Sequence, residues 1–290
     1  MDLPAPMLAS AGPLPARAGW AYEFKWDGIR VLCDVRDGRW RLVTRRGTDA
    51  TDKFPELAAI GGLGDVLLDG ELTVFDGRRP DFAAAVSRLR TPQRRVDELA
   101  ATRPATVLVF DVLRYNGTDL RKQPYVQRRV TLDGLGLSGE RWTVPPWSDD
   151  RLAIIATSLA HGLEGVVAKR LNSPYVSGRS RHWIKYRHKS VVDAAAIGWV
   201  RTAGGGASLL LAEATEDGLA YLGRCTVPED VLPALEPLET GAPAVAVPDP
   251  PKDVHWVRPE MQVEVTAASR TPDGRLRHAK FVRARTDQLG

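Results

Sequence analysis

The pattern of apolar and polar positions over the first 190 residues predicts short strands mixed with helices. Strands are predicted over residues 21–25, 30–35, 40–44, 66–75, 107–113, 165–169 and 183–187. Helices are predicted over residues 54–60, 82–89, 124–132 and 149–160, with Ser148 as the cap of the last one. Asp37-Gly38 predicts a hairpin turn. Because strands and helices do not alternate regularly, we expect an α+β core with antiparallel sheets.

After residue 189 the pattern changes to short strands separated by turns. Strands are predicted over residues 191–200, 208–213, 219–225, 262–267 and 281–285, with a helix over residues 229–235 and a proline-rich stretch over residues 243–251. Five short strands and one helix are typical of a small Greek-key barrel of the OB type. We therefore predict two domains, residues 1–190 and residues 191–290, the second an OB-fold β-barrel.

Composition is that of an ordinary globular protein. The chain has 290 residues, of which 43% are hydrophobic, enough for two domain cores. The sequence contains no apolar run near the roughly 18 residues that span a bilayer, and its start does not resemble a signal peptide. Cys33 and Cys225 are far apart, and the five histidines are scattered, so we expect free thiols and no structural zinc. These features predict a cytoplasmic protein, and the excess of arginine over lysine suggests a bacterial one.

The net charge of +4 is unevenly distributed along the chain. Residues 1–189 contain 30 basic and 22 acidic residues, whereas residues 190–290 contain 10 basic and 14 acidic residues. A basic first part favours a polyanionic partner such as nucleic acid. Many enzymes have a similar charge, so this observation adds only modest support.

The first candidate for chemistry is the segment from Glu23 to Arg30. Lys25 ends an apolar strand there, and a tight Asp-Gly turn and Arg30 follow it. A lysine is a nucleophile only after it has lost its proton, which desolvation and neighbouring cations favour. Further basic residues should therefore converge on Lys25. Taken alone, the segment is equally compatible with a solvated hairpin that has no function.

Two later strands supply charged residues. Glu164 and Lys169 lie five positions apart, near opposite ends of one strand, so we expect them to have different roles. Strand alternation places Lys185 and Arg187 on one face of the next strand, where two cations are suited to bind a triphosphate. Taken alone, this pair is slightly better explained as a basic edge strand that resists aggregation.

Carboxylates also lie inside apolar strands. Asp69-Gly70-Glu71 interrupts one apolar run, and Asp111 follows Phe110 in another. Burying such carboxylates is costly unless they are paired or bind a ligand or metal, so we expect Asp69 and Glu71 to be functional. Phe110 has the chemistry to stack on a base, although a core phenylalanine is the usual finding. Arg45, at the end of another strand, is a candidate for phosphate or sugar contacts.

The order and spacing of six such segments over residues 23–187 resemble the covalent nucleotidyltransferase superfamily of ATP-dependent DNA ligases, RNA ligases and mRNA capping enzymes. The details are most similar to bacterial ligases of the non-homologous end-joining type. This resemblance implies a nucleotidyltransferase (adenylation) domain, followed by the OB domain. It also implies ATP as cofactor, with Mg²⁺ or Mn²⁺, and Lys25 as the adenylated nucleophile.

The resemblance also implies roles for the other residues. Glu23 would read adenine, Phe110 would stack on it, and Arg45 would bind the phosphate side, including the 5′-phosphate of a nick. The remaining nucleotide contacts would come from Arg30, Glu71, Lys169, Lys185 and Arg187. A divalent metal would be held by Glu71 and Glu164.

Two positions depart from the family pattern. Arg187 stands where the family usually carries a second lysine of its final strand motif, and the arginine keeps the positive charge. The tail Arg285-Thr286-Asp287-Gln288 lacks the family's terminal lysine, so pyrophosphate orientation is expected to depend on Arg277, Arg283 and Arg285.

Three hypotheses follow from these residues and the resemblance. The first is an ATP-dependent DNA ligase that seals nicked or broken double-stranded DNA through a lysyl-AMP intermediate. The second is an RNA ligase or a capping-type guanylyltransferase that uses the same lysine, and the third is a nucleic-acid-binding module without activity. For the ligase, the resemblance suggests a monomer near the nucleoid, with a Ku-type end-binding protein and a primase-like polymerase as partners.

Overall fold

The computed structural model describes residues 3–77, 79–137, 139–202, 205–271 and 273–285. The chain forms two compact units, residues 1–187 and residues 188–290. Within the described residues, no helix has the length and apolar character needed to cross a membrane.

The first unit contains twelve strands and four α-helices among its described residues. The strands are β1 (Met7–Ala11), β2 (Trp20–Lys25), β3 (Ile29–Arg36), β4 (Arg39–Thr44), β5 (Val66–Asp76), β6 (Arg79–Pro80), β7 (Ala105–Tyr115), β8 (Thr118–Asp119), β9 (Trp142–Thr143), β10 (Trp147–Ser148), β11 (Gly165–Arg170) and β12 (Gly178–Arg187). The helices are α1 (Phe82–Leu89), α2 (Val96–Thr102), α3 (Tyr125–Gly134) and α4 (Arg151–Ala160). Short 3₁₀ helices cover Thr51–Lys53, Pro55–Leu63 and Gln93–Arg95.

These strands form two main sheets that pack face to face. One sheet has the order β1-β12-β11-β2-β10, and the other is built on β4-β3-β5-β7-β8. The pairs are antiparallel except for β1 with β12 and β7 with β9. Buried side chains from both sheets meet in one apolar cluster, which contains Met7, Leu32, Phe110 and Trp183. This mixture of sheets and helices confirms the predicted α+β class.

The second unit contains nine strands among its described residues. They are β13 (Ser190–Arg201), β14 (Ala207–Thr215), β15 (Gly218–Val227), β16 (Glu239–Thr240), β17 (His255–Val257), β18 (Gln262–Ala267), β19 (Ser269–Arg270), β20 (Leu276–Arg277) and β21 (Lys280–Arg285). The long strand β13 pairs with β18 through its first half and with β14 through its second half. The sheet curves around a main apolar cluster, as expected of an OB-type unit, and a smaller cluster around Ile197 and Leu210 lies beside it.

Most predicted elements are confirmed, and the exceptions have local causes. The turn between β3 and β4 has positive φ at both Asp37 and Gly38, as the hairpin prediction requires. The predicted helices at residues 54–60 and 229–235 are 3₁₀ helices, Pro55–Leu63 and Glu229–Ala234, and the second contains Pro233, which has no N–H to donate. The second unit has four short strands beyond the five predicted.

The predicted cap of α4 was wrong. Ser148 belongs to β10, and the Asp150 carboxylate accepts hydrogen bonds from the backbone N–H groups of Leu152 and Ala153. Asp150 is the residue directly before the helix, where an acceptor reaches the free N–H groups of the first turn. Cys33 and Cys225 are both buried free thiols, as predicted.

Candidate active site

The strand register brings the predicted basic residues onto one face of the first sheet. Lys25 lies opposite Gly165, which in turn lies opposite Arg187. The next row of the same face contains Glu23, Val167 and Lys185, and the row after it contains Ala21, Lys169 and Trp183. Directly opposite residues point to the same face of a sheet, so Lys25, Lys169, Lys185 and Arg187 converge. This is the convergence of cations that the nucleophile hypothesis requires.

These rows form one wall of a cavity of about 250 Å³ between the two sheets. Seven of the sixteen lining residues are basic, and two are acidic. The basic residues are Lys25, Arg30, Arg45, Lys169, Arg179, Lys185 and Arg187, and the acidic ones are Glu23 and Glu71. A concave site with this excess of positive charge fits a polyanion such as a nucleoside triphosphate.

Lys25 is held by Glu164 in this conformation. Its ammonium donates a hydrogen bond to one carboxylate oxygen of Glu164, and Arg187 Nε lies 2.6 Å from the other oxygen. Lys25 must leave this ion pair before its nitrogen can attack. Burial, together with the charges of Arg187 and Lys25, lowers the pKa of Lys185.

In the rows next to Lys25 on the same face, Glu23 and Lys169 form a buried ion pair. Lys169 Nζ lies 2.7 Å from Glu23 Oε2 and donates a second hydrogen bond of 3.1 Å to the carbonyl oxygen of Phe110. The second carboxylate oxygen of Glu23 accepts a hydrogen bond from the Tyr125 hydroxyl. Glu164 and Lys169 therefore have different partners, as predicted. Glu164 contacts Lys25, whereas Lys169 contacts Glu23.

The second sheet contributes Arg30, which is fixed by Asp69. The guanidinium makes two hydrogen bonds to the Asp69 carboxylate, one of them 2.6 Å long, and Asp69 also accepts a 2.6 Å bond from the Tyr175 hydroxyl. Asp69 is fully buried. The two acidic residues of the Asp69-Gly70-Glu71 segment therefore differ, because Asp69 orients Arg30 whereas Glu71 lines the cavity. Burial raises the pKa of Glu71 to about 7.

The Phe110 ring lies beneath two cations. Arg30 Cζ and Lys169 Nζ are each 4.3 Å from the ring centroid, and Trp183 packs edge-on at 6.2 Å. Only 8% of the Phe110 surface is exposed. A base can stack fully on this ring only after one of the two cations has moved aside.

Several contributors to the cavity escaped the sequence reasoning. Tyr125 and Tyr175 contact Glu23 and Asp69 across 102 and 106 positions of sequence, a separation that no local motif reveals. Arg179 lines the cavity but lies outside the predicted strand at residues 183–187, because β12 begins at Gly178. An alternation pattern extended backwards from Lys185 would have included Arg179.

A family model described as "ATP dependent DNA ligase domain" matches residues 6–187, more than half of the chain. The chain belongs to the ATP-dependent DNA ligase family. A second model, described as "ATP dependent DNA ligase C terminal region", matches residues 202–288. The predicted family is therefore confirmed.

Similar proteins include ligases with different overall lengths. The chain is 36% identical to "Multifunctional non-homologous end joining protein LigD" of Pseudomonas aeruginosa over 98% of its own length and 36% of that protein. It is 35% identical to "DNA ligase C1" of Mycolicibacterium smegmatis over 99% of its own length and 93% of that protein. A solved mycobacterial DNA ligase D complexed with ATP and MES is 33% identical, with a TM-score of 0.58 and 98% and 95% of the two chains covered.

In this ligase-family chain, the two carboxylates predicted to hold a metal differ in their surroundings. Glu71 lines the cavity, and Glu164 contacts Lys25 and Arg187. The described residues contain no cluster of three or more histidine, cysteine, aspartate or glutamate side chains arranged to hold a metal. Mg²⁺ usually binds proteins through one or two carboxylates together with substrate phosphates, so the donor set here fits that mode.

In the C-terminal region of the ligase-family chain, the predicted arginines take part in ion pairs or lie at the surface. Arg283 is 3.0 Å from Glu264, and Arg285 is 2.9 Å from Asp193 and 3.3 Å from Glu264. Arg277 is an exposed residue of β20. The tail beyond Arg285, with its missing lysine, lies outside the described residues. The role of these arginines stays a prediction.

Gly165 provides a test of the register of β11 against β2 and β12, which places Gly165 opposite Lys25 and Arg187. A Cβ atom at this position would lie 2.0 Å from the carbonyl oxygen of Tyr186, so we expect Gly165→Ala to lower the free energy of unfolding by about 1–3 kcal/mol. Gly134→Ala is the control, because nothing lies within 4 Å of its Cβ position, and we expect no loss. Urea denaturation measures both variants, and equal effects would contradict the register.

Proposed function

We propose that this chain is an ATP-dependent DNA ligase that works through an AMP bound covalently to Lys25. The observation that carries the proposal is the position of Lys25, at the edge of a cavity lined by six further cations. The family assignment favours DNA as the nucleic acid, and thereby favours the first of the three hypotheses.

In the first step, Lys25 Nζ, free of its proton and of Glu164, attacks the α-phosphorus of ATP. An N–P bond forms, and the P–O bond to pyrophosphate breaks in line with it. Lys185 and Arg187 lie on the same face as Lys25 and stabilise the negative charge that develops on the phosphates. Glu71 and Glu164 would hold a divalent cation, which would supply charge neutralisation on the triphosphate.

The second and third steps transfer and then release the AMP. An oxygen of a DNA 5′-phosphate attacks the adenylate phosphorus, and Lys25 leaves as the amine. The adjacent 3′-hydroxyl then attacks the activated 5′-phosphorus, and AMP leaves. The exposed Arg45 lines the cavity, which suits it to hold the DNA 5′-phosphate.

At the base-binding end, Glu23 and Lys169 would contact adenine, and Phe110 would stack on it. Arg30, held by Asp69, would bind the ribose or the phosphate region. These roles rest on the geometry of the cavity and on the resemblance of the motifs.

End joining is the process we propose for this activity. The chain spans about a third of the length of the LigD relative and nearly all of DNA ligase C1. The LigD relative is named as an end-joining protein, which supports a Ku-type protein and a primase-like polymerase as partners. We also propose a monomer in the bacterial cytoplasm, close to the nucleoid.

The proposal is tested with a labelled nicked duplex, ATP and Mg²⁺ or Mn²⁺. We expect the strand to be sealed with a 3′-deoxy end and also with a 3′-ribonucleotide end, as the end-joining assignment predicts. A chelator should abolish the sealing. Equal failure on both ends would contradict the ligase, and failure on the ribonucleotide end alone would contradict only the end-joining assignment.

A further inference from the structure

Tyr125 is a buried residue at the base-binding end of the cavity to which no role has been assigned so far. It is the first residue of α3, is fully buried, and donates its hydroxyl hydrogen to one oxygen of Glu23. Its own backbone N–H donates a 2.8 Å hydrogen bond to Ser173, which fixes the start of the helix. The other oxygen of Glu23 faces Lys169 at 2.7 Å. Glu23 is therefore held from two sides.

Glu23 and Lys169 keep hydrogen-bonding capacity beyond these contacts, and both residues line the cavity. A carboxylate offers about four acceptor directions, and Tyr125 and Lys169 occupy one on each oxygen. Lys169 has three N–H donors, of which Glu23 and the Phe110 carbonyl take two. Both Glu23 and Lys169 line the cavity beside the Phe110 ring. The pair thus presents one acceptor side and one donor side to a base.

The order of the Glu23 acceptor and the Lys169 donor distinguishes adenine from guanine. Adenine has a donor at its N6 amino group and an acceptor at N1, whereas guanine has an acceptor at O6 and a donor at N1. An edge with a fixed order of acceptor and donor therefore pairs with one purine and leaves buried polar groups unpaired with the other. Rotation of the Glu23 carboxylate would turn its free acceptor directions away from the base, because its terminal torsion has only weak preferences.

We propose that Tyr125 is a positioning residue that sets the preference for adenine over guanine by fixing the orientation of the Glu23 carboxylate. This inference rests on the proposed function. Burial and the adjacent Glu23 raise the pKa of Tyr125 well above its usual range, so the phenol stays protonated and always donates. Tyr125 itself acts through Glu23.

The test is self-labelling of the Tyr125→Phe variant with ATP and with GTP. We expect the KM for ATP to rise about tenfold while kcat stays within about threefold, because Lys25 lies in a different row of the sheet. The ratio of ATP to GTP labelling efficiency should fall at least about tenfold. Tyr22→Phe is the control, because it also removes a hydroxyl hydrogen bond, the partly buried one to the carbonyl oxygen of Pro15, but Tyr22 belongs to the cluster that includes Ile154 and Val166.

A second measurement uses the wild-type chain and does not depend on the stability of the variant. Purine riboside triphosphate lacks the N6 amino group, and we expect it to label the wild type at least about tenfold less efficiently than ATP. Equal labelling by the two nucleotides would overturn the inference, as would an unchanged ATP to GTP ratio in Tyr125→Phe or the same fall in Tyr22→Phe. Absence of any labelling of the wild type would instead contradict the proposed function.

Discussion

Replacement of Lys25 by alanine is expected to lower ATP-dependent nick sealing by a factor on the order of 10⁴ or more. No other lysine of the described cavity lies in the same row of the sheet as Lys25, so none can replace it as the nucleophile. Lys185 lies in the next row, and Lys169 is buried in the ion pair with Glu23. The measurement is the rate of sealing of a labelled nick with saturating ATP.

A DNA nick that already carries AMP on its 5′-phosphate distinguishes a role of Lys25 as nucleophile from a role in binding phosphate. In the proposed third step the 3′-hydroxyl attacks and Lys25 forms no bond, so Lys25→Ala should retain most of the sealing of that substrate. Loss of both activities to the same extent would contradict the nucleophile assignment and would indicate that Lys25 serves mainly to bind phosphate.

The second large effect concerns stability rather than chemistry. Asp111 and Arg128 form an ion pair with bonds of 2.8 and 2.9 Å, and both side chains are completely buried. Asp111→Ala leaves the Arg128 guanidinium without a counterion in the interior, where a lost partner costs about 3–5 kcal/mol. We expect the free energy of unfolding of the first unit to fall by that amount in urea denaturation.

The control for this prediction is an exposed ion pair. Arg95 and Glu98 lie 3.6 Å apart with both side chains mostly in solvent, so Glu98→Ala should cost no more than about 1 kcal/mol. Comparable losses in the two variants would mean that burial does not decide the contribution of the Asp111–Arg128 pair.

The sequence predicts the strands well because their apolar runs and alternation are local. Phe110 and Lys185 lie on the predicted strands, and the alternation that placed Lys185 and Arg187 on one face is the alternation of β12. The cap of α4 was missed because Ser148 and Asp150 are both good cap residues, and only the backbone path decides between them.

The rest of the site depends on contacts between distant parts of the chain. Asp69 and Glu71 look alike in sequence, and their different roles follow from the contacts of Asp69 with Arg30 and Tyr175. The arginines of β21 were predicted from the family motif alone, and their ion pairs with Glu264 and Asp193 involve residues outside that motif. Such pairings depend on strand register, which the sequence does not display.

Covalent labelling tests directly whether Lys25 is the residue that carries AMP. Wild-type protein is incubated with ATP labelled in its α-phosphate, digested, and the modified peptide is identified by mass spectrometry. We expect AMP attached to Lys25, formed far more efficiently from ATP than GMP is from GTP, with no label on Lys25→Ala. Label that persists in Lys25→Ala, or a GMP adduct formed as efficiently as the AMP adduct, would contradict a lysyl-AMP intermediate at Lys25.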